Sequence, residues 1–565
     1  MSYTPKPMQA PTLSGFGLRA ICRLAEGGPV AGLLRRELLK NTYIAELRAL
    51  PIDEAPAPMP LLPRVSVEIE EHAPIPLEPV ASAALPEGEG FQFETIADFQ
   101  AAYAEGRLSP VDVARRHLEA VKASESEAIP SRLFIAQSED DLMAQAEASA
   151  KRWADGAPLG PLDGVPVAVK DEVDQRGYST TVGTSFLGKT PAETDATAVG
   201  RLRATGAVLC GKLNMHEIGL GVTGINPHHG AARNPYDPRR FTGGSSSGSG
   251  AAVGTGVVPL ALGADGGGSV RIPAAFCGVV GLKPTFGRVS EHGAAPVCWS
   301  VAHLGPLAGT ARDAAVGYAV MAGVDAGDPN TIGQPAPTLA GFGEGNPFEG
   351  LRVGVHRAYF EDADPEIVDA VQALLDKMLE AGAELREIEI EEVHNMRRAQ
   401  MVSILSEMMA SQAPHLAAHR RDYGGDVRLN FAIGGEFAGP DYVKAQRIRR
   451  WACAQFDRHF SEVDVILTPS TGVTAGLINE KALELGESNL PLLDNIMRFA
   501  PIANITGHPA IAFPAGYDHQ DLPISAQLMG RPWDEARLLD LAHASEAWVP
   551  RKAPKRHYRL LAEEG

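Results

Sequence analysis

Short apolar runs rich in β-branched residues recur at Val165–Val169, Ala207–Cys210, Val257–Leu262, Leu351–Val355 and Val463–Leu467, with helically spaced apolar positions between them. Runs of this length read as buried strands, and their alternation with helical patterns predicts an α/β fold around a mixed sheet. Two helix starts follow from capping chemistry. Thr95 predicts an N-cap for a helix through Tyr103, and Ser109 before Pro110 predicts one through Val121. Upstream, Pro29–Leu47 places Val30, Leu33, Leu34, Leu38 and Ile44 at helical spacing between Arg35, Arg36 and Lys40, which predicts a basic amphipathic helix. Between Pro51 and Gly90, nine prolines and a surplus of acids predict an extended strap. The organisation expected is a helical extension over residues 1–50, a Pro-rich acidic strap over 51–90 and one large α/β domain over 91–565.

Composition narrows the function classes. With 565 residues, 44% apolar and 21% charged, the chain is globular rather than disordered or coiled-coil. A net charge of −19 repels phosphate backbones and argues against a nucleic-acid partner. Five cysteines without a CxxC pair argue against a disulfide framework or thiolate zinc site and fit a reducing, cytoplasmic location. No apolar run reaches the ~20 residues of a membrane-spanning helix. The amphipathic extension leaves open a peripheral contact with a membrane surface or a second copy of the chain.

Three segments offer chemistry. Lys170 closes the apolar run in PLDGVPVAVKDEVD, Gly243–Gly250 reads GGSSSGSG, and Ala264–Pro273 reads ADGGGSVRIP. A lysine ending a buried strand is commonly a snorkelling surface residue. The Gly/Ser tract suits a flexible linker, yet it leads straight into the apolar run AAVGTGVVPLALG. The triple glycine supplies consecutive backbone N–H groups beside a serine, the pattern an oxyanion hole and its nucleophile require. A serine nucleophile needs a base, either an imidazole (His216, His228, His229, His303 or His508) or a lysine kept neutral. His228-His229 lacks the companions a metal site needs. Gly244–Gly248 formally satisfies G-x-S-x-G, but the preceding NPYDPRRFT reads as turn rather than strand.

Taken together, Lys170, GGSSSGSGAAV and GADGGGSVRIPAAFCGVVGLKPTFGRVS closely resemble the amidase signature family of serine hydrolases, with GKLNMHE at Gly211–Glu217 and NITGHPAIAFPAGY near the C-terminus in support. The block HEIGLGVTGINPHHGAARNPYDPRRF and the N-terminal extension look most like the plant-type fatty acid amide hydrolase branch. Ala302 stands where many members carry an aspartate, and Ala264 where a threonine is common. The first departure weakens a reading as a glutamine-using amidotransferase subunit.

What the resemblance implies is specific. The fold is a large twisted mixed sheet flanked by helices on both faces. Lys170, Ser245 and Ser269 match the family's Ser-cis-Ser-Lys triad, with a cis peptide before Ser245. The oxyanion donors are the N–H groups of Gly266, Gly267, Gly268 and Ser269, supported by Ser246, Asp265 and Arg271. Asp265 and Arg271 also read as a purely structural ion pair, and Cys277 as a small buried hydrophobe. No cofactor or metal is implied, and a homodimer is. The methionine-rich stretch Met396–Met409 suggests an adaptable apolar wall. With the amphipathic extension it points to a small-molecule amide bearing an apolar acyl chain, ahead of aryl or short amides, carbamates and polyamide oligomers.

Overall fold

The computed structural model describes residues 4–6, 10–50, 75–84, 86 and 88–562. Eleven strands form one mixed sheet. In spatial order they are Phe134–Ala136, Val208–Leu213, Pro166–Lys170, Leu260–Ala264, Leu304–Ala308, Val280–Lys283, Ala510–Tyr517, Pro523–Gly530, Val465–Pro469, Arg352–Val355 and Glu384–Glu387. Pro166–Lys170 runs parallel to both its neighbours. The middle of the sheet, from Leu260–Ala264 to Val465–Pro469, is antiparallel. The five strands expected from apolar runs are present, displaced by a few residues. Their side chains are almost all buried, as expected of strands covered on both faces by helices.

Capping fixes the first helices of the large domain. Ile96–Ala104 and Pro110–Ser126 each begin with a reciprocal box, Thr95 with Asp98 and Ser109 with Asp112. The Gly/Ser tract is not a linker. Ser247–Gly254 is a wholly buried helix packed against Arg271–Cys277. A Cβ on Gly248 would fall 2.5 Å from the Leu133 carbonyl, so glycine is what allows the close approach.

The N-terminal extension differs from the single helix expected. It forms three helices, Gly15–Glu26, Ala31–Lys40 and Ile44–Ala49. The break falls where Thr42 Oγ1 donates to the Leu39 carbonyl and Tyr43 adopts φ 56°. Leu18, Cys22, Leu39, Ile44 and Leu47 join one apolar cluster with the long helices Val393–His419 and Gly439–Glu462. Paired side chains clamp this contact: Arg48 donates to Asp441 twice at 2.8 Å and Arg428 to Glu26 twice at 2.6 Å. Of the Pro-rich strap, residues 51–74 lie outside the described residues.

Candidate active site

The strand Pro166–Lys170 ends with its lysine fully buried, and Nζ donates to Ser245 Oγ at 2.8 Å. Nζ also donates to the Ala264 carbonyl on the adjacent strand at 3.2 Å and lies 2.7 Å from Glu172 Oε2. The Gly244–Ser245 peptide is cis. The Ser245 carbonyl is held by the N–H groups of His216 at 3.0 Å and Ser247 at 2.9 Å. Ser246 ties the two serine loops together: its N–H donates to the Ser269 carbonyl at 3.3 Å and its hydroxyl to the Ala264 carbonyl at 3.1 Å. Ser269 follows the triple glycine and precedes the helix Arg271–Cys277.

Asp265 organises the glycine loop. Its carboxylate accepts from the N–H of Gly268 at 2.6 Å and of Val270 at 3.1 Å, and from Arg271 Nε at 3.0 Å and Nη2 at 3.1 Å. Burial opposes its charge. The Arg271 charge and the hydrogen bonds of Arg271 and Asn504 outweigh that and hold the carboxyl well below the usual range. Arg271 is itself held by Gln527, Asn504 and the Ala500 carbonyl. Of the four N–H groups expected to face an oxyanion, that of Gly268 is therefore turned onto Asp265. Those of Gly266, Gly267 and Ser269 have no acceptor among the described residues. Gln400 Nε2 pins the Gly266 carbonyl at 2.6 Å.

Ser269 and Gly267 open onto an apolar cavity that is continuous with solvent. Leu220, Met401, Ile404, Leu405, Leu493 and Met497 line it, and Lys6, Tyr43, Arg397 and Arg398 border it. Within the expected Met396–Met409 wall, Gln400, Met401, Ile404 and Leu405 face this space, whereas Met396 and Met408 are buried in the packed core. A profile of the Amidase family matches residues 121–539. The chain belongs to the amidase family. It is 38% identical to fatty acid amide hydrolase of Oryza sativa subsp. indica, covering 99% of this chain and 96% of that one. It is 35% identical to a glutamyl-tRNA(Gln) amidotransferase component of Thioalkalivibrio sulfidiphilus, covering 82% and 99%. Among solved structures, one from a vestigial protein complex described as revealing the evolutionary origins of an s-triazine catabolic enzyme superposes with a TM-score of 0.73 at 32% identity, covering 80% of this chain and 97% of that one.

In this amidase four of the five candidate histidine bases have ring hydrogen bonds to other groups, and His508 has ring contacts instead. His216 Nε2 meets Asp426 at 3.0 Å, His228 meets Glu217 at 2.7 Å, and His229 meets the Thr184 carbonyl at 3.2 Å. His303 Nδ1 lies 2.9 Å from the Val301 carbonyl, and His508 packs between Phe456 and Phe460. Ser247 and Ser249 donate to the carbonyls of Asn214 and Leu262. Burial pushes the Cys277 thiol well up, in keeping with an inert core side chain. Sequence reasoning missed Glu172, Gln400, Asn504 and Gln527. Glu172 lies two residues past Lys170, Asn504 inside NITGHP and Gln400 inside the Met396–Met409 stretch, but no role was read for any of them or for Gln527.

Proposed function

We propose that Ser269 is the nucleophile of an acyl-enzyme amidase, with Ser245 and Lys170 relaying its proton. The observation that carries this reading is the 2.8 Å Lys170–Ser245 hydrogen bond beside the one serine of the glycine loop that lines a large apolar cavity. Ser269 attacks the amide carbonyl as its proton passes to Ser245 and that of Ser245 passes to Lys170. The N–H groups of Gly266, Gly267 and Ser269 receive the oxyanion, where one donor is worth ~3–4 kcal/mol in other hydrolases. The relay then returns the proton to the leaving amine, and water releases the acid.

The substrate is a fatty acid amide or an N-acylethanolamine-like compound. Supporting this are the apolar cavity walls and a likeness to fatty acid amide hydrolase that spans the N-terminal extension as well as the matched domain. The amidotransferase relative covers less of the chain. Phe16 and Leu33, 86% and 73% exposed, suit the extension to an apolar surface, a membrane or the second copy of a homodimer. Mass in solution and vesicle binding of the chain with and without residues 1–50 test that contact.

Intact mass spectrometry after a fluorophosphonate probe tests the chemistry, with Ser269→Ala and Lys170→Ala alongside. We expect labelling on Ser269 alone, at least ~10³-fold loss of turnover in both variants, and kcat/KM rising from C2 to C12 amides. Labelling without a rise would keep the relay and exclude the fatty-amide reading, and no labelling would overturn both.

A further inference from the structure

Glu172 stands two residues beyond the strand that ends at Lys170. Its side chain is only 10% exposed, and that of Lys170 is 1% exposed. Three oxygens surround Lys170 Nζ: Glu172 Oε2 at 2.7 Å, Ser245 Oγ at 2.8 Å and the Ala264 carbonyl at 3.2 Å. Two of them accept hydrogen bonds from Nζ and the third forms an ion pair with it, and an ammonium in such a pair has no lone pair to take a proton from Ser245. Among the described residues Glu172 Oε2 has no hydrogen-bond partner, so the Lys170 charge beside it is an ion-pair contact. The carboxylate and Ser245 also share one small space: a Cβ on Gly219 would lie 3.8 Å from Glu172 Oε2 and 3.5 Å from Ser245 Oγ.

We propose that Glu172 is a positioning residue that stores the relay's proton, acting on the reaction only through Lys170. The proposal rests on the reading of Lys170, Ser245 and Ser269 as the relay. As Ser269 attacks, its O–H bond breaks and a new O–H forms on Ser245. The original Ser245 O–H breaks and an N–H forms on Lys170. One earlier Lys170 N–H bond breaks, its proton forms an O–H on Glu172 Oε2, and rotation about the Cε–Nζ bond turns the lone pair so freed toward Ser245 to take the new proton. Lys170 ends with the charge it began with, and the one proton released in net by the nucleophile is held by a neutral Glu172 carboxylic acid. When the tetrahedral intermediate collapses, the same bonds form and break in reverse and the leaving nitrogen is protonated. The amine therefore gains a lone pair without losing a proton to water.

The titratable groups facing this pair are Glu291 and Cys298, from the loop before the strand Leu304–Ala308, and Glu407 of the helix Val393–His419. Burial, reinforced by neighbouring carboxylates, pushes the Glu291 carboxyl and the Cys298 thiol well above their ordinary ranges. Glu407 is engaged by the N–H groups of Trp299 at 2.7 Å and Ser300 at 2.9 Å. Asp171, next in the chain, pairs with Lys212 at 3.6 Å. Glu172 is thus the carboxylate in contact with the Lys170 ammonium.

The test is kcat/KM against pH from 5 to 10 on decanoyl p-nitroanilide, using the full chain, Glu172→Gln and Glu172→Asp. In Glu172→Gln, Lys170 must lose a proton to water before it can act. We expect its acid limb to move up by more than one pH unit, with at least a tenfold loss at pH 6, a plateau above pH 9 within about threefold of wild type, and unchanged KM. Glu172→Asp, which withdraws the carboxylate by one methylene, moves the limb up by less. An equal loss at every pH, or a limb that stays or moves down, overturns the proposal. If Glu172→Gln does not fold, an Asp variant with the wild-type limb overturns it. Fluorophosphonate labelling of Ser269 in Glu172→Gln at pH 9 keeps this outcome separate from a failure of the relay itself, which Ser269→Ala and Lys170→Ala report.

Discussion

Gln400 reaches from the helix Val393–His419 to the Gly266 carbonyl at 2.6 Å, and a buried carbonyl that loses its donor costs ~1–3 kcal/mol. Gln400→Leu is therefore expected to lower kcat about tenfold by loosening the glycine loop, with KM for a C2 amide changed less than about threefold. Steady-state kinetics checks it, and an unchanged kcat would mean that the loop holds its shape without this bond. Lys170, Ser245 and Ser269 were legible at this scale because glycines and serines cluster around them within short segments. Gln400, Asn504 and Gln527 were not. Their bonds to Gly266 and Arg271 cross 134, 233 and 256 residues, and such separations leave no local pattern.

Among the elements, the helix Ala311–Met321 carries a pH-sensitive group at its start. Thr310 Oγ1 caps the N–H of Asp313, whose buried carboxylate accepts from the Ile96 N–H at 3.2 Å while Oδ2 has no partner among the described residues. Burial pushes this carboxyl up from 3.8 to about 8. Between those values the folded chain keeps a proton that the unfolded chain has released, so stability falls as pH rises from about 4 to about 8. One proton bounds the slope at about 1.4 kcal/mol per pH unit. Asp313→Asn is expected to flatten the fall in melting temperature between pH 5 and 9, and equal slopes in calorimetry would refute it. Capping boxes and apolar runs made the early helices and the five covered strands readable. The edge strand Glu384–Glu387 was not, because its polar residues carry no apolar signal and only pairing with Arg352–Val355 makes it a strand.

For the whole molecule, the extension is part of the packed structure and part of the cavity border. Its helices bury Leu18, Leu39, Ile44 and Leu47, and Lys6, Thr42 and Tyr43 reach the cavity. Each such side chain contributes ~1.5–3 kcal/mol of burial. A chain of residues 51–565 is expected to melt about 5 °C lower or more. It should also lose at least about tenfold of its preference for C12 over C2 amides, with Ser269 still labelled. Thermal melts and the amide panel check this, and an unchanged preference would remove the extension from substrate selection.

By itself the sequence determined the family and the α/β class and singled out Lys170, Ser245 and Ser269 as candidates, because those features sit in short segments whose backbone needs leave few residue choices. Tertiary structure alone decided the rest. It broke the extension into three helices, since Thr42 and Tyr43 must turn the chain to reach both the long helices and the cavity. It turned the Gly268 N–H onto Asp265, leaving three N–H groups in the loop without an acceptor among the described residues. And it set Glu172 2.7 Å from the buried Lys170, a consequence of packing and distance that no linear pattern encodes.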